Sequence, residues 1–226
     1  GVDAVMAASA EVPSLSNRKC ELYTKCRLWE MSAPRILLDA TTVRCAAPRA
    51  HRLLLTGRLL IAGPDRHWLI PFETVHPSAE EAGGDVQRES ERCEGVGLLV
   101  SSDSGKAWAV QKGRWGRLDD GTPLSKAVVV EKRDGELLML AQAPLMETLY
   151  QATSQDTGVN WTNWTATAVP TTGNSKVDMT RLPTGHLAFA FNAHGALQGD
   201  LWDTRSLLDV AVSGEAGAAW TRVARR

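Results

Sequence analysis

The 226-residue chain is long enough to form one large domain or two small ones with a substantial buried core. Its 25 basic and 26 acidic residues nearly cancel, which argues against a nucleic-acid-binding protein held by basic charge. No run of about 18 apolar residues occurs, so no membrane span is expected.

Residues 1–54 show no readable repeat, and we interpret them as a divergent N-terminal segment or a damaged copy of the units that follow. Cys20, Cys26 and Cys45 lie in this segment, and Cys93 lies beyond it. The spacing of these cysteines matches no zinc-binding pattern, so no metal site is predicted, and their pairing stays open. The sequence also contains no Gly-rich phosphate loop and no visible signal peptide, so we expect no cofactor and leave the compartment open.

From about residue 55 onward, short apolar segments alternate with tight turns, a pattern that favours antiparallel strands over helices. Each unit of roughly 50 residues contains a strand, a turn and a second strand, then a third strand after a loop. Such a unit is typical of one blade of a β-propeller. The predicted units span residues 55–116, 117–170 and 171–226. The predicted strand–turn–strand pairs are 58–73, 127–143 and 177–193, the third strands are 95–102, 147–154 and 206–213, and the fourth strands are 109–113 and 162–169.

Two polar stretches are expected at the surface. Residues 79–92, "AEEAGGDVQRESER", fall between the second and third predicted strands of the first unit and predict a mobile surface insertion. The tripeptides that begin at Asn160 and Asn163, each Asn-Trp-Thr, would be glycosylation acceptors in a secreted protein.

One eight-residue motif occurs three times, each time at the end of a predicted third strand. The copies are "SSDSGKAW" at 101–108, "SQDTGVNW" at 154–161 and "SGEAGAAW" at 213–220. Their acidic positions are separated by 53 and then 59 residues, a spacing that indicates a structural repeat. The positions that define the motif are Ser101, Asp103, Gly105 and Trp108, then Ser154, Asp156, Gly158 and Trp161, and then Ser213, Glu215, Gly217 and Trp220.

The residue types of this motif predict a tight turn between antiparallel strands. Asp and Ser side chains bond neighbouring backbone N–H groups, and Gly adopts a positive φ that other residues resist. The Trp ring packs beneath the turn and fixes it to the sheet. The motif is therefore expected to be structural, with no chemistry of its own.

The three copies resemble the Asp boxes, also called BNR repeats, of the sialidase (neuraminidase) superfamily, and in particular BNR-repeat proteins of the "predicted neuraminidase" type. The likeness covers roughly residues 55–226 and includes "GNSKVDMTRLPTGHLAFAFN" at 173–192, which is followed by Arg205 and a predicted third strand. The resemblance implies an all-β fold, namely a six-bladed β-propeller of which this chain holds a partial or divergent form. It also implies a ligand site on the face opposite the Asp boxes, with a carbohydrate as substrate or ligand.

Candidate site residues follow from that resemblance and from strand order. Arg205 stands just ahead of a third strand and an Asp box, as does one of the arginines with which sialidases bind the substrate carboxylate. Glu73 and Asp178 are the acidic candidates for catalysis, together with Arg205. The candidates for substrate binding are Arg205, Asn174, Asn192, His194 and Trp202.

Two functions stay open. Sialidases use a tyrosine nucleophile, but Tyr23 and Tyr150 do not match its context, and the third Asp box has Glu215 in place of Asp. One hypothesis is a sialidase-like glycoside hydrolase that acts on a terminal sugar, either anionic or neutral. The alternative is a non-catalytic BNR propeller that binds carbohydrate or a protein partner, or that serves as a subunit of an assembly.

Overall fold

In the computed structural model, the residues that are described form only β-strands, turns and irregular segments, and no helix among them could cross a membrane. The described residues are 5–7, 10–11, 30–31, 35–38, 52–75, 95–111, 116–143, 148–170, 175–192, 208–214, 217 and 219–225. The strands are β1 (Val5–Ala7), β2 (Ala10–Glu11), β3 (Glu30–Met31), β4 (Arg35–Leu38), β5 (Arg52–Leu55), β6 (Leu60–Ala62), β7 (His67–Val75), β8 (Gly95–Ser101), β9 (Ala109–Val110), β10 (Ser125–Glu131), β11 (Leu137–Gln142), β12 (Thr148–Ser154), β13 (Thr165–Pro170), β14 (Asp178–Arg181), β15 (Leu187–Asn192), β16 (Leu208–Ser213) and β17 (Trp220–Arg225).

The chain divides into two compact units. In Gly1–Val43, β1 pairs with β4 and β2 pairs with β3, both antiparallel. Arg44–Arg226 holds three antiparallel sheets, which we call the first, second and third sheets in chain order. The first contains β5 to β9, the second runs β10–β11–β12–β13, and the third runs β14–β15–β16–β17.

The second and third sheets are up-and-down meanders, as the sequence predicted. The "RDG" turn is closed by hydrogen bonds from Lys132 N to Glu136 O (2.8 Å) and from Gly135 N to Lys132 O (3.2 Å). The "LPTG" turn repeats this geometry, with bonds from Leu182 N to His186 O (2.8 Å) and from Gly185 N to Leu182 O (2.9 Å). The repeat that the sequence indicates is thus a repeat of backbone geometry.

The first strand of the first sheet is divided, which the sequence analysis did not predict. Both β5 and β6 pair with the long strand β7, β5 with its C-terminal part and β6 with its N-terminal part. In the break between them, the Thr56 hydroxyl donates to the carbonyl of Ala127 in β10 (2.7 Å). The strand pairing of this sheet begins at Arg52, before the predicted start at residue 58. A further strand that was not predicted, β17, completes the third sheet.

The second sheet is buried on both faces. Successive side chains of a strand point to opposite sides, and β10 shows this in its contacts. Val128 and Val130 pack into a core with residues of the third sheet such as Phe189, whereas Val129 packs into a core with residues of the first sheet such as Leu98. Strand β10 therefore packs against both neighbouring sheets. Burial of each such apolar side chain stabilises the folded state by on the order of 1.5–3 kcal/mol. The sheets therefore lie against one another in chain order.

The first two Asp boxes form the predicted turns between third and fourth strands. In the first, the Ser101 hydroxyl donates to Asp103 Oδ1 (2.7 Å), which also accepts the N–H groups of Lys106 and Ala107 (2.9 Å each). Gly105 has φ +81°, a conformation that favours glycine, and its carbonyl accepts the Trp108 indole N–H (3.2 Å). The second box has the same bonds among Ser154, Asp156, Gly158 and Trp161.

The third box keeps the turn but lacks these side-chain bonds among the described residues. Gly217 N donates to Gly214 O (3.0 Å), and Gly217 has a φ of +69°. The Ser213 hydroxyl and the Trp220 indole nitrogen are buried, and neither has a hydrogen-bond partner within the part of the chain that the structure describes. Glu215, the acidic position of this box, lies outside the described residues.

Candidate functional site

A cavity of about 540 Å³ lies at the end of the three sheets that is opposite the Asp boxes. Ser101 of the first Asp box pairs with Trp68 of β7. Glu73 lies five residues beyond Trp68 along the same strand, which corresponds to on the order of 17 Å between the two residues. Glu73 is thus remote from the first Asp box, and the location of the ligand site on this face remains a prediction. The described residues that line the cavity are Leu54, Leu55, Thr56, Glu73, Lys126, Ser175, Lys176 and Asn192.

Strand ends from all three sheets position these side chains. Glu73 lies near the C-terminal end of β7, and Asn192 is the last residue of β15. Lys126 lies at the start of β10, and Lys176 lies two residues before β14. In antiparallel meanders the start of a first strand and the end of the second lie at the same edge of the sheet, so these residues meet. Two of the predicted site residues, Glu73 and Asn192, are thereby brought to one cavity.

Glu73 is a buried carboxylate held by one neighbouring residue. It is 5 % exposed and lies within strand β7. The Lys126 backbone N–H donates to Glu73 Oε2 (2.7 Å), and the Lys126 ammonium Nζ lies 3.5 Å from Oε1. A buried carboxylate needs such compensation, because removing its charge from water without partners is costly.

Lys126 has an unusual backbone. Its φ is +53°, and the pairing register of β10 with β11 shifts between Ser125 and Val128. A lysine in this left-handed region is strained by roughly 1–2 kcal/mol, and such strain tends to occur where the surrounding structure fixes a functional conformation. Here the strained residue presents both its N–H and its ammonium group to Glu73, and its side chain is partly exposed to the cavity.

The described lining of the cavity is positive on balance. Its ionised groups are the carboxylate of Glu73 and the ammonium groups of Lys126 and Lys176, and Lys176 is exposed. Ser175 is buried, and its carbonyl accepts a hydrogen bond from the Gln142 side chain (2.7 Å), which holds the segment that carries Lys176. A ligand with one negative charge complements this lining.

Asp178 does not line the cavity. Its carboxylate is paired with Arg58, which lies in the break between β5 and β6, through Nη2–Oδ2 (2.7 Å) and Nε–Oδ1 (3.3 Å) contacts. Asp178 Oδ1 also accepts the N–H of Met179 (2.9 Å). The predicted acid is therefore engaged in an ion pair between the first and third sheets.

Four candidates, Asn174, His194, Trp202 and Arg205, lie outside the described residues, and their roles remain predictions. Tyr23 and the predicted insertion at 79–92 also lie outside them. Within the described part, Tyr150 lies in β12, packs against the core between the first and second sheets, and does not line the cavity. No group of three or more His, Cys, Asp and Glu residues in that part could hold a metal ion.

The sequence did not predict the parts played by Lys126, Lys176 and Arg58 near the cavity. It does carry a signal for the two lysines. Ser125-Lys126 and Ser175-Lys176 are 50 residues apart, and each lysine stands six residues before the first residue of a hairpin turn. The dipeptide thus repeats with the sheets. A lysine at the start of a strand is usually a solvated surface residue, which is why a single copy carries little information.

Comparison with known proteins places this fold. A family model described as "BNR repeat-like domain" matches residues 33–225, whereas no curated protein matches the sequence at a significant level. Among solved structures, the Hadza microbial sialidase Hz136 is 17 % identical with a TM-score of 0.57, over 86 % of this chain and 33 % of that chain.

Two further sialidase structures show the same likeness. The K499G mutant of NanB sialidase from Streptococcus pneumoniae is 16 % identical with a TM-score of 0.55, over 89 % of this chain and 27 % of that one. The intramolecular trans-sialidase from Ruminococcus gnavus is 15 % identical with a TM-score of 0.54, over 97 % and 47 %. At these identities the likeness concerns the fold, and the chain spans less than half of each structure. The family match covers most of the sequence, and the chain therefore belongs to the BNR repeat-like domain family.

Proposed function

We propose that the three sheets are neighbouring blades of a sialidase-like β-propeller, and that the cavity around Glu73 binds a terminal sugar that carries a carboxylate. The face-to-face stacking of the sheets in chain order and the common edge of their Asp boxes support the propeller arrangement. In that arrangement β5 with β6, β10 and β14 are the innermost strands, and the cavity lies at one end of the central channel.

The observation that carries the proposed ligand is the convergence of Lys126 and Lys176, equivalent residues of two neighbouring sheets, on one cavity. Each ammonium group can donate hydrogen bonds to a carboxylate, and the bonds from the partly buried Lys126 are stronger than they would be in water, whereas Lys176 is exposed. Glu73 balances one of the two charges and positions Lys126, leaving one positive charge for the ligand. The Asn192 amide can bond the hydroxyl groups of a sugar at the same time.

A second candidate function is hydrolysis of the glycosidic bond by the same site. Relationship to sialidases and the buried carboxylate of Glu73 support it. In this form Arg205 would hold the substrate carboxylate, and Asp178 would have to leave its ion pair with Arg58 to act as a proton donor.

Binding is tested by calorimetric titration with the α-methyl glycoside of N-acetylneuraminic acid and, separately, with its methyl ester. We expect the acid to bind at least tenfold more tightly than the neutral ester, because the ester cannot pair with the lysines. Lys126→Met and Lys176→Met should each remove most of that preference. Lys106→Met, at the Asp-box end of the first sheet, is the matched control and should leave it unchanged. Equal binding of the acid and the ester by the wild type would contradict the proposal.

Hydrolysis is tested with a fluorogenic sialoside. If the second candidate is correct, Glu73→Gln and Arg205→Ala should each lower kcat/KM by about 100-fold or more. If the wild type binds the acid but does not hydrolyse the sialoside, the protein is a non-catalytic sugar-binding protein. That result would exclude hydrolysis and leave the proposed binding function in place.

A further inference from the structure

A second cavity, of about 240 Å³, lies between the first and second sheets beside the second Asp box. We call it the tryptophan groove. One wall comes from β8, β9 and Gln111, and the other comes from Met139 and from residues 159–164, which connect the second Asp box to β13. The groove shares no residue with the cavity around Glu73.

The residues of this groove exceed what the Asp-box turn requires. The second box continues as Trp161-Thr-Asn-Trp, so Asn163 and Trp164 follow the box tryptophan by two and three residues. At the equivalent positions after Trp108, the first box has only valine and glutamine, and its turn has the same hydrogen bonds. The turn is thus complete without a second tryptophan.

Two indole rings line the groove. Trp161 and Trp164 are half-buried, and both pack against the core between the first and second sheets while lining the cavity. The Trp161 N–H donates to the carbonyl of Gly158 (2.8 Å), which fixes that ring in place. Flat rings packed at a cavity wall suit the C–H faces of a pyranose, which contact an aromatic ring at a small cost in conformational entropy.

The polar groups beside the rings are also held in place. The Asn160 backbone N–H and side-chain NH₂ donate to the two oxygens of Asp156 (2.8 and 2.6 Å). Thr162 exchanges hydrogen bonds with Thr153, from Thr162 N to Thr153 O (2.9 Å) and from Thr153 N to Thr162 Oγ1 (3.0 Å). A loop that is fixed before binding gives up little freedom when a ligand enters.

The described lining of the groove contains no ionised side chain. Its polar side chains are the amides of Gln111, Asn160 and Asn163 and the hydroxyl of Thr162. Amides and hydroxyls bond sugar hydroxyl groups as donors and acceptors, whereas a carboxylate would find no cation there. The tryptophan groove therefore differs from the Glu73 cavity, where three ionised groups meet.

From these observations we propose that the tryptophan groove is a second carbohydrate-binding site, specific for a neutral pyranose unit. One sugar ring stacks on Trp164, and the amides of Asn163 and Gln111 bond its hydroxyl groups. This site is independent of the proposed function of the Glu73 cavity and stands whether or not that cavity binds an acidic sugar.

The test is saturation-transfer NMR and tryptophan-fluorescence titration with lactose and with cellobiose, on protein made in a bacterial host so that Asn160 and Asn163 carry no glycan. We expect at least one of the two disaccharides to bind. Trp164→Ala should weaken its binding at least tenfold, and Trp164→Phe, which keeps an aromatic ring, should weaken it less than Trp164→Ala does. Lys126→Met should leave it unchanged.

Circular dichroism shows whether each variant is folded, and Asn163→Ala serves as the test if Trp164→Ala is not. For Asn163→Ala we expect at least a threefold loss of affinity. The proposal is overturned if neither disaccharide gives saturation transfer, if the folded variants bind as the wild type does, or if Lys126→Met abolishes binding.

Discussion

Lys126 holds the buried carboxylate of Glu73 with two donors from different parts of one residue. Its backbone nitrogen lies 2.7 Å from Oε2 and its ammonium nitrogen lies 3.5 Å from Oε1. Because Glu73 belongs to β7 and Lys126 to β10, the contact joins the first and second sheets at the rim of the cavity. Glu73 thus supports the fold and at the same time sets the position of a cavity-lining cation.

This relationship predicts that Glu73→Ala and Glu73→Gln differ in stability. Alanine leaves the Lys126 N–H without its acceptor, so we expect the free energy of unfolding to fall by about 1–3 kcal/mol. Glutamine keeps an acceptor oxygen for that N–H and loses only the partly exposed ion pair, so the loss should stay below about 1 kcal/mol. Urea denaturation of both variants measures the difference, and equal losses would show that the N–H bond contributes nothing.

The Arg58–Asp178 ion pair is expected to contribute little to stability. Both side chains are 53 % exposed, and exposed pairs measured by double-mutant cycles contribute about 0.2–1 kcal/mol. A cycle with Arg58→Ala, Asp178→Ala and the double variant should give a coupling energy in that range, reduced in 1 M salt. A coupling above about 2 kcal/mol would mean that the pair is far better shielded from solvent than its exposure indicates.

The first, second and third strands that the sequence predicted carry buried apolar residues on one face or on both. In β10 the run of valines forms two opposite contact surfaces, and in β15 buried and half-buried residues alternate, so pattern and structure agree. Strand β17 was missed because its residues Thr221–Arg225 are exposed and therefore show no apolar alternation. The division between β5 and β6 was missed because it falls inside one apolar run, "RLLLTGRLLIA", with only Gly57 to indicate a break.

The sequence predicted which end of the sheets Glu73 and Asn192 occupy, because both residues stand near the ends of second strands and topology determines that position. Lys126 was missed because its role depends on a positive φ and on a partner 53 residues away, neither of which the local sequence shows. Asp178 was predicted by type, but its ion pair with Arg58 arises only when the first and third sheets come together.

The lowered pKa values of three aspartates determine how we expect stability to depend on pH. Backbone N–H groups, first that of Ala107, lower the pKa of Asp103 below its ordinary value, and the N–H of Asn160 does the same for the pKa of Asp156. Asp209 is buried beneath Arg225 and Arg222, and the hydrogen bonds from Arg225 are the main cause of its lowered pKa. In each case the folded state favours the ionised carboxylate.

A carboxyl group with a lower pKa in the folded than in the unfolded chain stabilises the fold above its unfolded pKa, here the ordinary value of 3.8. That stability is lost as the pH falls through the folded pKa. The contribution of these groups should thus be constant above about pH 5 and should fall below pH 3.8. Asp156→Asn and Asp209→Asn, measured by urea denaturation between pH 6 and pH 3, should each show a shallower decline than the wild type. Slopes identical to that of the wild type would contradict this assignment.

In the third Asp box the Ser213 Oγ and the Trp220 Nε1 are buried and have no hydrogen-bond partner among the described residues. In the first box the aspartate accepts the serine hydroxyl as well as two backbone N–H groups, and the box glycine carbonyl accepts the indole N–H. Glutamate is longer than aspartate by one methylene, so a glutamate carboxylate does not match the position that the Asp103 carboxylate occupies in the first box. Glu215→Asp should restore the bonds to the carboxylate, namely those from the Ser213 hydroxyl and from the N–H groups of the turn.

Each restored hydrogen bond contributes about 0.5–1.5 kcal/mol, and more where a buried polar group was left unsatisfied. We therefore expect Glu215→Asp to raise the free energy of unfolding by about 0.5–1.5 kcal/mol and to raise Tm. Glu215→Ala is the matched control: it removes the glutamate without supplying an acceptor, and it should not stabilise the protein. An increase of the same size in both variants would show that removing the glutamate, and not restoring the box, is responsible.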